Sequence, residues 1–256
     1  MKKYFLCLMI IFFFSCKKEE GCMDPLAANY NSNATIENGD CTYNLISINI
    51  NFSQTVNQDP LVLNEMIYTN EANDNFSVQT VRYLISNIFL HSSDTSVLIK
   101  NVHFVDVDNQ ESSSIIVNDI IDKNYTQISF TMGLLENENQ TNLYLNEDFF
   151  PSFVWPEFLG GGYHYMQLEG DYNNLFLGYA THTGPTNGID YSFTKNFDIT
   201  TNIQDGSSIT INMEINNWYS NPNMVNLYSG IMQNSNIQAQ LQENGITDVF
   251  SIVISK

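Results

Sequence analysis

The side chains in this chain most able to do chemistry are its four histidines: His91, His103, His164 and His182. Glycines flank two of them, because residues 160–162 precede His164 and Gly184 follows His182. Glycine permits tight turns and close backbone approach around a bound group. Imidazole is a preferred ligand of copper, so a metal site in this chain is expected to use these histidines.

Two further donors follow His164 closely. Met166 lies two residues on and would project from the same strand face, and its thioether is a ligand that Cu(I) prefers. Glu169 offers either an anionic ligand or an acceptor that orients a histidine. The alternative for His164 is a structural one, in which the ring packs on Tyr163 and Tyr165 and bonds a carbonyl group.

The other two histidines are weaker candidates. His103 alternates with Val102 and Phe104, so a strand would turn it towards solvent. His91 follows the apolar run that ends at Leu90 and is expected to be a turn residue.

Motifs for catalysis are missing from the sequence. It has no Gly-x-Ser-x-Gly elbow, no His-Glu-x-x-His helix and no phosphate-binding glycine loop. Neighbouring acids such as Glu147 and Asp148 are common on acidic surfaces, and their spacing in sequence does not bring them together. We therefore expect a protein that is not an enzyme.

The composition indicates an acidic globular protein. The formal net charge is −19, and such a surface repels the phosphate backbone of nucleic acids, so nucleic acid is not an expected partner. Hydrophobic residues make up 43% of the chain and aromatic residues 13%, which is enough for a substantial core.

The pattern from residue 45 onward predicts an all-β fold. Apolar and polar residues alternate in many short runs, for example 46–52, 102–107, 127–130, 208–213 and 249–254. Alternation places one strand face in a core and the other in water, and frequent Asn, Asp and Gly turns favour an antiparallel sandwich or barrel. Helical spacing predicts a short helix after Pro222, reaching Met232, and a second over 237–243; a helical start is also expected at Phe76.

The N-terminus resembles a bacterial lipoprotein signal. A basic flank and an apolar run that ends at Phe14 are too short to span a bilayer of roughly 30 Å, so residues 1–15 are predicted to be a cleaved signal peptide. Ser15-Cys16 resembles a lipobox, in which Cys16 is acylated. The stretch 16–20 resembles the tether that carries some lipoproteins to the outside of the outer membrane. An ordinary secretory signal is the alternative.

The remaining cysteines are expected to pair. Cys7 leaves with the signal and Cys16 takes the lipid, which leaves Cys22 and Cys41 for a disulfide in an oxidising compartment. Residues 21–44 resemble a short GC-x-DP…DG-x-C-x-Y module of extracellular proteins. We expect a disulfide-closed spacer there rather than a calcium site.

Six phrases together resemble the MbnP-like copper-binding family: INFSQTVNQDPLVL ending at Leu63, FSVQTVRYLISNIFL, SFTMG, WPEFLGGGYHYMQLEG, YATHTG and NGITDVF ending at Phe250. They occur in family order across residues 45–256. The resemblance implies an immunoglobulin-like β-sandwich that binds copper beside an oxidatively modified tryptophan, which a dihaem peroxidase-like partner produces.

The resemblance singles out particular residues. His164 and His182 lie in the most typical phrases and form the best ligand pair, together with Met166 and Glu169. Trp155 is the candidate for the modified tryptophan, and Trp218 is the second choice. Family members often carry a histidine where this chain has Gln54, so one ligand would be missing here.

The resulting hypothesis is an outer-membrane or cell-surface lipoprotein that binds copper without catalysis. The alternative is a metal-free module that recognises a glycan or a partner protein, with the aromatic segment Trp155 to Tyr165 as its contact surface.

Overall fold

The computed structural model describes residues 18–173 and 177–256. The predicted signal peptide 1–15 and the lipidation site Cys16 lie outside the described residues. The chain divides into two compact units, Met1–Asn44 and Leu45–Lys256.

The first unit is small and is closed by a disulfide. Strands β1 (Glu20–Gly21) and β2 (Ile36–Glu37) pair in parallel. Cys22 and Cys41 are bonded, which confirms the predicted disulfide. The Glu37 carboxylate accepts the backbone N–H groups of Met23 and Gly39, so this acid is used to hold the turns.

The second unit consists mainly of strands, listed in chain order: β3 (Leu45–Val56), β4 (Asp59–Pro60), β5 (Tyr68–Thr69), β6 (Asn75–Phe76), β7 (Thr80–Ser92), β8 (Ser96–Asp106), β9 (Ser114–Ile121), β10 (Tyr125–Met132), β11 (Met166–Tyr172), β12 (Leu177–Thr183), β13 (Phe193–Asp198), β14 (Ser208–Glu214) and β15 (Phe250–Ser255). Its helical pieces are the 3-10 turns Gln110–Ser113, Glu157–Leu159 and Ile215–Tyr219, the α-helix α1 (Ser235–Asn244) and a π-helical turn Gly245–Val249.

The larger sheet has eight strands arranged around β7. Strand β8 pairs along one side of β7, and β10 and β11 share the other side, β10 with residues 85–92 and β11 with residues 80–83. Strand β12 extends the sheet beyond β11, and β13 extends it beyond β10.

The smaller sheet has five strands in which β3 is central. Strand β9 pairs with the first part of β3 and β14 with the later part, while β15 lies beyond β14. The β3–β14 pairing is parallel, whereas the sequence analysis expected antiparallel pairing throughout.

The two sheets enclose one main core. Alternate residues of β3 and β14, such as Ile48, Ile50 and Ile211, pack with Tyr83 and Ile128 of the larger sheet. The predicted all-β, immunoglobulin-like sandwich is confirmed, with 43% of the residues in strands. A second apolar cluster is built mainly by the long connection 133–165, which links β10 to β11 in the chain.

The helix predictions are partly wrong. Helix α1 matches the expected 237–243 segment, and Asn234 caps it by accepting the N–H groups of Asn236 and Ile237. The segment from Pro222 to Met232 is irregular. Val225, Leu227 and Ile231 are separate anchors in the core, whereas Met224 is exposed, so the apolar residues do not form one helical face. No helix begins at Phe76, which belongs to β6.

In the described residues, no helix is both long enough and apolar enough to cross a membrane.

Candidate metal centre

His164 is held at the junction between the connection 133–165 and strand β11. Its backbone N–H donates to the Phe153 carbonyl at 2.8 Å, and the next residue, Tyr165, donates to the Thr183 carbonyl at 2.7 Å. The histidine is therefore fixed between residue 153 and the end of β12. Only 6% of its surface is exposed, so its ring cannot move without disturbing the core.

The glycines before His164 make this placement possible. Gly160, Gly161 and Gly162 all have positive φ angles, of 137°, 70° and 81°. Glycine adopts such conformations without the steric cost that other residues meet. The chain turns back here, and Trp155 N–H donates to the Gly162 carbonyl at 2.9 Å. The sequence expectation of a tight turn beside His164 is thus explained.

His182 lies on β12, directly opposite Gln167 of β11. Its Nε2 is 2.6 Å from Oε1 of Glu169. Helix α1 fixes the strand at this point, because the buried Gln238 side chain donates to the His182 carbonyl at 2.8 Å and accepts the Gly184 N–H at 3.3 Å. Three elements therefore determine the position of the imidazole.

The two imidazoles are in edge-to-face contact, with ring centroids 5.0 Å apart and planes at 80°. Nδ1 of His164 is 3.1 Å from the Phe153 carbonyl oxygen, which can only accept a hydrogen bond. The Glu169 carboxylate is likewise the acceptor for Nε2–H of His182. These bonds leave Nε2 of His164 and Nδ1 of His182 with their lone pairs available, the arrangement found around metal-ligating histidines.

The electrostatic environment keeps His164 neutral. Burial and, to a smaller extent, the charge of His182 lower the pKa of His164 to about 4, although the Phe153 carbonyl and Glu169 act in the opposite direction. The hydrogen bond from His182 lowers the pKa of Glu169, and the charge of Arg82 adds to this effect. A neutral imidazole is the form that binds a metal.

Trp155 packs edge-on against His164, with ring centroids 4.7 Å apart. It is fully buried, and its Nε1–H has no hydrogen-bond partner among the described residues. Gly184 packs closely against the indole. A Cβ added to Gly184 would come within 2.7 Å of two ring carbons. An unpartnered buried donor at this position is a costly feature in a protein interior.

The structure brings together His164, His182, Glu169 and Trp155 but not Met166. Met166 is fully buried in the main core, on the strand face opposite to Gln167 and Glu169. His164 precedes the first residue of β11, so the strand alternation that suggested a shared face does not reach it. Glu169 acts as an acceptor behind His182.

The only three His, Cys, Asp or Glu donors within 4.8 Å of one another in residues 18–173 and 177–256 are those of Cys22, Glu37 and Cys41. Both sulfurs of that group belong to the disulfide, so neither is a free thiolate for a metal. The two histidines thus form a pair of nitrogen donors rather than a closed three-ligand site.

The other histidines have structural contacts. His103 is partly buried rather than facing solvent, stacks on Phe52 with ring centroids 4.8 Å apart, and bonds the Ser112 carbonyl. Burial lowers the pKa of His103. His91 is inside β7 rather than in a turn, and its two ring nitrogens bond Ser96 and Ser129.

Comparison with known proteins agrees with this architecture. The sequence profile of the MbnP family matches residues 46–236. The chain belongs to the MbnP family. A search of curated proteins gave no match.

A solved structure, "MbnP from Methylosinus trichosporium", superposes with a TM-score of 0.55 at 9% sequence identity. The match covers 83% of this chain and 100% of that one, so the two proteins share a fold over most of this chain.

Two expectations tied to MbnP proteins can now be placed in the fold. Gln54, where relatives often have histidine, donates to the buried Tyr83 hydroxyl at 2.9 Å. Trp218, the second candidate for modification, lies in the main core against Phe193 and Phe250. Trp155 is therefore the tryptophan that contacts the histidine pair.

The aromatic residues of the segment Trp155 to Tyr165 differ in exposure. Trp155, Tyr163 and Tyr165 are each at most 1% exposed, whereas Phe158 is 75% exposed. A glycan or partner could therefore reach Phe158 but not the other three rings, and the metal-free contact surface stays a prediction.

Several positioning groups escaped the sequence analysis. The Phe153 carbonyl is a backbone atom and gives no residue-type signal, and Gln238 lies 56 residues from its partner His182. Arg82, the single arginine, lies opposite Gln167 in register and forms an ion pair with Asp106 at 3.0 Å, although its Nε–H is not directed at the carboxylate. A lone arginine within a strand pattern was the one available signal.

Proposed function

We propose that this MbnP-family protein binds a copper ion through Nε2 of His164 and Nδ1 of His182, in a role without catalysis. The observation that carries the proposal is that each ring gives its other N–H to a fixed acceptor, at 3.1 Å for His164 and 2.6 Å for His182. Both free nitrogens belong to rings whose centroids are 5.0 Å apart.

The donor set favours copper over zinc. A zinc site uses three or four protein ligands, whereas the histidine pair offers two free nitrogens and has no third His, Cys, Asp or Glu donor grouped with it in the described part of the chain. Copper has the highest affinity for nitrogen donors among the divalent first-row metals, and imidazole suits it. The bound ion would supply redox chemistry, while the protein holds the two imidazoles in a fixed orientation with His164 buried.

Copper titration of the purified protein tests this assignment. We expect one copper per chain for the wild type, and loss of stoichiometric binding for His164→Ala and for His182→Ala. His91→Ala is the matched control, because His91 is on the same sheet and bonds only serine hydroxyls. Stoichiometric binding that survives both site substitutions would refute the proposal.

Glu169 supports the site by orienting His182. In Glu169→Gln, a neutral amide replaces the carboxylate that accepts Nε2–H, and changes of this kind typically weaken metal binding by about 10–100-fold. Asp171→Asn is the control, since it removes the same charge two residues along the same strand face. Competition with a copper chelator measures the copper affinity of both variants. Equal affinities would contradict the orienting role of Glu169.

Trp155 is a second functional candidate. We infer that a dihaem peroxidase-like partner oxidises its indole, with one oxygen atom entering the ring while peroxide is reduced to water. The contact with His164 supports this choice over Trp218. Both indoles have a buried Nε1–H without a partner among the described residues, so that feature does not separate them. Intact mass of protein from the native host should show the gain of oxygen within the peptide that contains Trp155. An unmodified mass would remove the inference.

We also propose that Cys16 is acylated and anchors the protein in the outer membrane, exposed at the cell surface. The support is the sequence resemblance to a lipobox followed by 16–20. Radiolabelled fatty acid should be incorporated by the wild type and not by Cys16→Ser. Incorporation into the variant would exclude Cys16 as the anchor.

A further inference from the structure

A cleft of about 410 Å³ lies between strand β12 and the segment 227–233. Gly178 and Ala180 of β12 line it, together with Tyr172 and Tyr228, whose rings are in contact and form an aromatic wall. Strand β12 pairs only with β11 among the described strands, so its other side is open to this segment. The volume is within the range of small-molecule binding sites.

The lining of this cleft differs from the rest of the surface. The formal net charge of the chain is −19, yet none of the described residues that line the cleft is charged. The rings of Tyr172 and Tyr228 are stacked at 29° with centroids 6.2 Å apart. Tyr228 is 62% exposed, so its ring is accessible to a ligand in the cleft.

Unused hydrogen-bonding groups surround the aromatic wall. Within residues 18–173 and 177–256, the hydroxyl groups of Tyr172 and Tyr228 have no hydrogen-bond partner, and neither do the side chains of Ser229 and Gln233. The cleft thus combines an apolar ring face with neutral donors and acceptors around it.

The segment that carries Tyr228 is firmly anchored. Val225, Leu227 and Ile231 are at most 3% exposed and pack in the main core. The Ile231 carbonyl accepts the Gln238 side chain, and the Met232 carbonyl accepts the Thr186 hydroxyl. A wall fixed in this way loses little conformational entropy when a ligand binds.

We propose that this cleft binds a neutral saccharide, with a sugar ring stacked on Tyr228. A sugar ring presents C–H groups on its faces and hydroxyl groups around its edge, which match an aromatic wall with neutral polar neighbours. An acidic saccharide is disfavoured, because the cleft offers no basic side chain and the protein is strongly acidic. The cleft is separate from the histidine pair, so this inference is independent of copper binding.

Isothermal titration calorimetry of the purified protein tests the proposal, with cellohexaose, maltohexaose and xylohexaose as neutral probes. We expect at least one of them to bind, and Tyr228→Ala to weaken that affinity by about tenfold. Tyr30→Ala is the matched control, because Tyr30 is an exposed tyrosine of the first unit. Far-ultraviolet circular dichroism checks that each variant is folded.

Three other results would contradict the saccharide proposal. If none of the three probes binds at millimolar concentration, or if Tyr228→Ala binds as tightly as the wild type, the cleft is not a saccharide site. Equal binding of polygalacturonate would contradict the preference for neutral sugars. Copper stoichiometry measured on the same samples distinguishes failure here from failure of the metal proposal, since Tyr228→Ala should leave it unchanged.

Discussion

At the residue scale, the candidate site depends on how closely the tryptophan and its neighbours are packed. Trp155 contacts His164 on one side and Gly184 on the other, and none of its surface is exposed. Gly184 follows the strand that carries His182, so the indole contacts one ligand and the chain just after the strand of the other. A change in volume at this point cannot be absorbed by moving a side chain into solvent.

Gly184→Ala should therefore destabilise the protein and weaken copper binding. The new Cβ would come within 2.7 Å of the Trp155 ring, and overpacking of this kind costs about 1–3 kcal/mol. Urea unfolding measures the free energy of unfolding, and copper titration measures the affinity of the site for copper. Gly178→Ala on the same strand is the control, since its Cβ would meet nothing closer than the Gly170 carbonyl at 3.7 Å. An unchanged unfolding free energy for Gly184→Ala would show that the indole can move.

At the element scale, the site lies where β11, β12 and α1 meet. The sequence predicted the strands through their alternation, and it predicted α1 through its periodicity and its Asn-Gly ending. It could not predict that α1 packs on the end of β12, because the hydrogen bonds to that strand come from Gln238, a polar residue whose burial the apolar periodicity does not indicate. The helix predicted at 222–232 is absent for a similar reason. The spacing of apolar residues alone does not distinguish a helical face from separate anchors in the core.

Gln238→Ala tests the link between α1 and His182. The substitution leaves the Gly184 N–H and the His182 carbonyl without their buried partner, which costs about 1–3 kcal/mol. We expect a lower unfolding free energy and weaker copper binding. Gln240→Ala is the control on the same helix. Equal stability of the two variants would mean that other groups or water replace the lost bonds.

At the scale of the whole molecule, the two units differ in what holds them together. The second unit has an extensive apolar core, whereas the buried apolar side chains in the described part of the first unit are Cys22 and Ala27. The sequence predicted the disulfide, the sandwich and the histidine pair because each depends on residue type. It did not predict the exposed Tyr228 cleft, which arises where a distant segment packs beside β12.

Replacing both Cys22 and Cys41 by Ser should unfold the first unit alone. In the chain-entropy model, a loop of 19 residues is stabilised by about 3 kcal/mol when closed by a disulfide, and this unit has almost no core to compensate. Limited proteolysis should therefore cleave within 18–44 faster in the variant. The urea midpoint of the 45–256 unit and its copper stoichiometry should stay unchanged, because its core and both histidines lie within that unit. A protease-resistant first unit would show that its turns suffice without the bond.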